Sequence, residues 1–276
     1  MKNKRRALNL LEIAMIIIAF VFLYPILLVL INSLKSFQEV MMDVIALPKA
    51  LAFENYSYVW QYINYPRLFL NNVVITGLGL AGIVFFSAIA AYKLSRTRSR
   101  ISTVIYFLCI MPMLIPFQSI MVTLLKLAKM LHLSDSIWGL GIQYWGFGAP
   151  LAVFIYHGFI KGIPREIDES AMMDGASSFR TFFSVIFPLL KPVTATIVII
   201  QGMWIWNDFL LPLLMVNGST ETKTLTLAAY TFVGQYNTDW QYTMTALMMA
   251  VLPSIILFIF MQKHIVKGVT AGAVKG

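Results

Sequence analysis

The stretch Ile163–Pro192 reads IPREIDESAMMDGASSFRTFFSVIFPLLKP and lies between two long apolar runs. Pro164 suits the first turn of a helix, where a missing N–H leaves nothing unsatisfied. Glu166, Asp168 and Glu169 follow close to that N-terminus, where the macrodipole favours negative charge. Gly175 stands where a left-handed helix stop is expected. Ser177 or Ser178 can cap a second helix, which Pro188 is expected to end. The spacing therefore predicts two short helices joined by a sharp corner at Asp174-Gly175. Small residues at Ser170, Ala171 and Ala176 leave that corner free to enter a groove on another protein.

The sequence on either side of this insert belongs in lipid. Of 276 residues, 59% are hydrophobic and 12% charged, with a mean hydropathy of +0.78. A soluble domain carries about 25% charged residues, so this chain has too few polar side chains to cover a water-facing surface. Six apolar stretches are long enough to cross a ~30 Å hydrocarbon core at ~1.5 Å per residue. They are Leu11–Ile31, Asn72–Leu94, Ile101–Leu125, Ile137–Ile160, Val193–Val216 and Thr243–Met261. The expected fold class is an all-α membrane protein of six transmembrane helices, with residues 1–276 forming one membrane domain. The charged start, Met1 to Arg6, could open a signal peptide. The apolar run behind it is long enough to span, and no small-residue cleavage site follows, so it reads as a retained first helix. The third stretch holds Pro112 and Pro116, and the fourth holds several glycines and Pro150, so both are expected to be kinked or broken. Gly79 and Gly82 suit close packing of the second stretch.

The net charge of +9 would suggest nucleic acid in a soluble protein. Here the distribution of the charge explains it. With six spans, 15 of the 21 Lys and Arg residues fall on the side of the two termini, in the N-terminal segment, the 93–100 loop, the 161–192 loop and the 262–276 tail, and 6 on the other. The positive-inside bias places the termini in the cytoplasm and leaves no nucleic-acid partner. The first external loop, 32–71, is rich in aromatics, including Tyr56, Tyr58, Trp60, Tyr62 and Tyr65. Cys109 reads as a small packing residue inside an apolar run.

The insert carries a resemblance. Glu169-Ser170-Ala171, three residues, Gly175, nine residues and Val185-Ile186-Phe187-Pro188 resemble the signature loop of the permeases of ABC importers. That signature is Glu-Ala-Ala, three residues, Gly, nine residues, then Ile, any residue, Leu, Pro. Asp174-Gly175-Ala176 fits its usual Asp-Gly-Ala. The departures are Ser170, Val185 and Phe187; Glu169, Gly175 and Pro188 are retained. Phe53-Glu54-Asn55-Tyr56, Phe69-Leu70-Asn71-Asn72 and Trp206-Asn207-Asp208-Phe209 are similar to segments of carbohydrate-uptake permeases. The ending from Gly268 to Gly276 resembles that of the maltose-type, six-span subunit.

The resemblance implies a type I ABC importer permease fold in a bacterial or archaeal cell membrane. It implies that Glu169, Ser170, Ala171, Asp174, Gly175, Ala176 and Pro188 form a coupling helix docking into a cleft on an ATPase subunit. The tail, with Thr270, Ala271, Gly272 and Lys275, would reach between two ATPase subunits as a thin strand. The implied partners are a second, different permease, two ATPase subunits that bind ATP and Mg, and an external sugar-binding protein. It also implies that the deep sugar site lies mostly in the other permease.

The residues themselves carry no phosphate loop of the form Gly-x-x-x-x-Gly-Lys-Ser/Thr, so the chain is not expected to hydrolyse ATP. His132, His157 and His264 are far apart and read as interfacial polar residues rather than metal ligands. Asp208 is the most informative charge. Counted from Val193 along a continuous helix it lies roughly 22 Å into the ~30 Å core, where a carboxylate must face the bundle interior or water. Asn207, Trp204 and Trp206 beside it suit a sugar, which has hydroxyl edges and apolar C–H faces. Gln118, Gln143 and Tyr144 are further candidates for lining a pathway. An ion-driven carrier would want several paired charges inside the spans, and a permease for glycerol phosphate would want Lys or Arg there. Neither pattern is evident. Likeness to multiple-sugar permeases leans the substrate toward oligosaccharides, with α-galactosides such as raffinose one option.

Overall fold

The computed structural model describes residues 2–234 and 236–273, with the side chains of 11–234, 236–260 and 262. Among these residues it is mostly helical, with no strand and a single isolated bridge between Val233 and Thr238. The helices are α1 Lys2–Ser33, α2 Phe37–Met42, α3 Glu54–Tyr62, α4 Tyr65–Arg96, α5 Arg100–Ile110, α6 Phe117–Met130, α7 Ile137–Lys161 and α8 Glu166–Met173. They continue with α9 Ser178–Arg180, α10 Phe187–Leu189, α11 Lys191–Asn207, α12 Leu210–Met215, α13 Leu225–Ala229 and α14 Trp240–Ala273. Three helices are long and apolar enough to cross a membrane as single rods, and up to six spans result if each of three bent pairs counts as one.

The chain divides into two compact units, Met1–Tyr65 with Leu225–Leu252 and Pro66–Thr224 with Pro253–Gly276. In the first, the carbonyls left open at the end of α1 are met by side chains, as helix ends require. Ser33 O accepts from Asn55 Nδ2 at 3.0 Å and from Thr245 Oγ1 at 3.1 Å. Lys35 is almost wholly buried, and its ammonium donates to Asn32 Oδ1 and Asp43 O. Four rings of this unit, Tyr58, Tyr62, Phe232 and Tyr242, pack into one aromatic cluster.

In the second unit, α4, α7 and α11 form the core. Trp145 lies directly over Gly82, and its indole N–H donates to Leu78 O at 2.9 Å. A Cβ at Gly82 would overlap that ring, so the small residue is what lets α4 and α7 approach. Tyr156 Oη donates to Thr194 Oγ1 at 2.9 Å, and Gln201 Nε2 to Gly148 O at 3.1 Å, tying α7 to α11.

The helix breaks differ from those expected. The fourth stretch, despite Pro150, is one unbroken helix, α7, and its glycines are contact points: Gly141 lies under Leu78 and Gly148 under Ile83. The third stretch is not one rod. Arg100–Leu114 and Phe117–Met130 meet at 103°. Ile115 is extended (φ −91°, ψ 118°), as a residue before proline must be, and Pro116 cannot continue the hydrogen-bond ladder. The fifth stretch also breaks. α11 stops at Asn207, Asp208 is extended (φ −67°, ψ 139°), and α12 begins at Leu210. Pro212 supplies the cause, since its ring excludes a helical carbonyl four residues earlier, at Asp208.

Candidate functional site

The insert forms the expected corner. α8 ends in a Schellman motif: Ala176 N–H donates to Ala171 O and Gly175 N–H to Met172 O, both at 3.0 Å. Gly175 holds φ +83°, the left-handed turn such a stop needs. Ser177 Oγ then accepts Arg180 N–H at 3.3 Å and starts the next helix. Two details differ from the sequence reading. α8 begins at Glu166, so Pro164 lies just ahead of its first turn. Pro188 does not end the second helix; the chain runs on to Leu189 and bends by 74° into α11. Residues 181–186 widen into a π-type turn immediately before Pro188, because a proline offers no N–H to the preceding turn.

At the corner, Glu169, Ser170, Asp174 and Gly175 are exposed, Ala171 and Ala176 are half-buried, and Pro188 is exposed. Nothing lies within 4 Å of where a Cβ on Gly175 would sit. Around it stand large apolar side chains that the sequence reading did not single out: Met172, Met173 and Phe179 are 46%, 82% and 71% exposed. Together they make an exposed apolar patch at the corner.

What holds it rigid is a buried ionic anchor. Asp168 Oδ2 is 2.7 Å from Arg96 Nη2, and Asp168 Oδ1 accepts from Tyr92 Oη at 2.6 Å. Arg96 also donates to Ile163 O at 3.1 Å, and Arg165 Nη2 to Ser95 O at 3.2 Å. These contacts fasten the start of α8 to the end of α4. In the sequence Asp168 looked like one of three acids at a helix N-terminus and Arg96 like one of many loop cations. Only Asp168 of the three acids is buried. An arginine at the end of one span and a carboxylate in the first turn of the insert were the available signal.

The polar residues inside the spans sort into separate places. Asp208 and Tyr144 come together: Tyr144 Oη donates to Asp208 Oδ2 at 2.8 Å, and the other carboxylate oxygen accepts Leu210 N–H at 3.1 Å. The carboxylate therefore sits at a helix break and tethers the first residue of α12, where the sequence reading had it on a continuous helix. Trp204 packs edge-on to Tyr144 at 5.4 Å and is 42% exposed. Trp204, Asp208, Phe117, Phe147, Leu210 and Leu211 line a cavity of about 180 Å³. Trp206, two residues on and so on the opposite helix face, is buried against Phe69. Asn207 donates to Met203 O and accepts from Ser254 Oγ. Gln143 lines a different cavity beside Pro112 and Pro150, and Gln118 is exposed. So the structure joins Asp208, Tyr144 and Trp204, and places Gln143 in a neighbouring cavity that shares Phe117 and Phe147 with theirs.

His157 is buried in α7 and stacks on Tyr106 at 3.9 Å; the side chain of His264 lies outside the described residues. In the tail, the backbone of Thr270, Ala271 and Gly272 continues α14 as helix, unlike the thin strand expected. Their side chains, and Lys275 altogether, lie outside the described residues.

A family model described as "Binding-protein-dependent transport system inner membrane component" matches residues 82–271. Among similar sequences, a probable starch degradation products transport system permease protein of Thermoanaerobacterium thermosulfurigenes is 39% identical, over 94% of each chain. A multiple sugar-binding transport system permease protein of Streptococcus mutans is 35% identical over 92% of each chain. A melibiose/raffinose/stachyose import permease protein of Bacillus subtilis is 32% identical over 99% of each. The fold resembles a chain of a bacterial ABC transporter involved in the import of the acidic polysaccharide alginate, with a TM-score of 0.77 at 22% identity, covering 95% of this chain and 98% of that one.

Proposed function

The chain belongs to the family of binding-protein-dependent transport system inner membrane components, and from that premise we propose that it is one permease subunit of an ATP-driven oligosaccharide importer. It is a transport component of the membrane, with a type I ABC importer permease fold. The observation that carries the mechanism is the corner at Asp174-Gly175: exposed apolar side chains on a loop fastened to a span by a buried ion pair.

In this reading the 161–192 loop faces the cytoplasm, with both termini, and Met172, Met173 and Phe179 enter a cleft on an ATPase subunit. Two such subunits bind ATP and Mg, and closing on the nucleotide they drag the corner with them. Arg96 and Asp168 pass the displacement to α4, because an ion pair removed from water resists separation. The spans then alternate between inward and outward openings. A second, different permease supplies the other half of the pathway, and an external binding protein delivers the sugar. The tail around Thr270–Gly272 and Lys275 adds a further contact with the ATPase pair, a role that rests on its resemblance to the maltose-type subunit.

The cavity beside Trp204 and Asp208 suits a carbohydrate passing along the pathway. An exposed indole offers a flat surface to C–H faces, and a carboxylate accepts hydroxyl protons. Nothing in this chain does covalent chemistry; its work is positioning and transmission.

The test is Gly175→Asp and Glu169→Lys in the whole transporter, scored for uptake of labelled oligosaccharide and for co-purification of the ATPase. Both variants place charge at the exposed corner without touching the core, so they are expected to fold, to lose most of the bound ATPase and to stop uptake. Normal assembly together with normal uptake in both would end the coupling role.

A further inference from the structure

A cavity of about 850 Å³ opens where the turn after α4 faces the turn after α7. Its lining includes Arg96, Arg98, Lys161 and Arg165, against one acid, Glu166. Arg96 is engaged by Asp168, and Arg165 gives one N–H to Ser95 O. Arg98 and Lys161 are exposed and form no ion pair among the described residues. The site is therefore a concave, cationic pocket built from two separate turns, with hydroxyls at Ser99 and Thr103 and the stacked Tyr106–His157 pair in its wall.

Its mouth is not polar all round. Phe107, on α5, is part of the lining and is 58% exposed. Beside it Ile101, Val104 and Leu108 are 72%, 57% and 58% exposed, and their spacing of three and four places them in one stripe. The 11 residues of α5 make a stripe about 16 Å long, close to half of a ~30 Å hydrocarbon core. A ligand matching this surface has a compact anion at one end and an acyl-length apolar part at the other. Met172, Met173 and Phe179, the corner assigned above to the ATPase, are absent from the lining.

We propose that this cavity binds the phosphate headgroup of an anionic phospholipid of the cytoplasmic leaflet, with Arg98 and Lys161 as its cationic contacts and an acyl chain along α5. The proposal rests on the cytoplasmic placement of the 161–192 loop proposed above. Basic pockets between spans at this leaflet are suited to such headgroups. A bound headgroup joins the Thr97–Ser99 turn to the Lys161–Arg165 turn, next to the Arg96–Asp168 contact between α4 and α8, so lipid charge is expected to stiffen the base of the coupling corner.

The experiment uses the whole transporter in detergent, titrated with dioleoylphosphatidylglycerol, with dioleoylphosphatidylcholine and with inorganic phosphate, and counts retained lipid by native mass spectrometry. The phosphatidylglycerol is expected to be held and the phosphatidylcholine not. Arg98→Gln with Lys161→Gln is expected to weaken retention about 30-fold, from two charges near the surface, and Val104→Asn to weaken it less. Inorganic phosphate in excess is expected not to displace the lipid. Equal retention in wild type and the double variant, or equal retention of both lipids, overturns the site. Displacement by phosphate alone shows a free-anion site and overturns the lipid assignment. Loss of the ATPase from the double variant with lipid unchanged assigns the cavity to the subunit interface and overturns it too. The orientation is read separately: labelling of Ser99→Cys by an impermeant maleimide added outside intact cells would refute the cytoplasmic placement, whatever the lipid counts show.

Discussion

The corner after α8 and the cavity at Asp208 solve opposite problems with similar residues. At the corner one carboxylate faces inward: Asp168 is bonded to both Arg96 and Tyr92 below the surface, and Met172, Met173 and Phe179 are turned out. At Asp208 the carboxylate is bonded to Tyr144 and to the start of α12, and the aromatic rings Phe117, Phe147 and Trp204 close around it. The first arrangement fastens the insert to α4 and leaves an apolar outer surface, the one proposed above to meet the ATPase. The second makes a polar spot inside an apolar lining, wide enough to touch a small polar solute and too well bonded to move freely. The two regions differ in where their ionic groups lie relative to their apolar ones: under an exposed apolar patch at the corner, inside an aromatic lining at Asp208.

The expected effects of substitutions in the two regions fall in a clear order. Asp168→Ala is expected to be the most damaging, because it leaves the Arg96 guanidinium enclosed without its partner, at about 3–5 kcal/mol. The thermal midpoint of the purified transporter should fall sharply. Arg96→Met combined with Asp168→Leu should recover most of that loss, since two apolar side chains fill the space without an unpaired charge. If the single variant is as stable as wild type, the corner has no ionic anchor and the contrast disappears. Asp208→Ala removes the acceptor of Tyr144 Oη and of Leu210 N–H, at about 1–3 kcal/mol. It should also lower uptake while the ATPase remains bound, because this cavity is far in role from the corner. An unchanged half-saturating sugar concentration in Asp208→Asn would take the carboxylate off the pathway.

Gly175→Ala should cost about 1 kcal/mol, from holding an L-residue at positive φ. No steric penalty is expected beyond that, since a Cβ there meets nothing within 4 Å. Met173→Ser should change the chain's own stability by less than about 0.5 kcal/mol, yet it should weaken ATPase co-purification clearly. An outward-facing residue should matter only to assembly, an enclosed one first to folding.

Much of this was legible before any coordinates. Low charge and long apolar runs put the chain in lipid, since backbone and side chains at that composition have no better solvent. The corner was legible because Gly175 and Ser177 act locally: a left-handed stop and a side-chain cap are satisfied within a few residues of chain. What could not be read was anything that depended on a second segment. Pro150 and Pro116 are the same residue in similar apolar surroundings, yet α7 runs straight through one and the chain turns by 103° at the other. Ahead of Pro150, Gly141 and Gly148 pack against α4, and no local pattern reports that contact. Asp168 likewise differs from Glu166 and Glu169 only in having Arg96 and Tyr92, some 70 positions away in sequence, directly opposite it. Solvent and turn chemistry are properties of the chain itself, so sequence determines them. Which helix stays whole, which carboxylate is enclosed and which ring faces Asp208 are decided only by tertiary structure, because each is settled by the neighbour that arrives from a distant part of the chain.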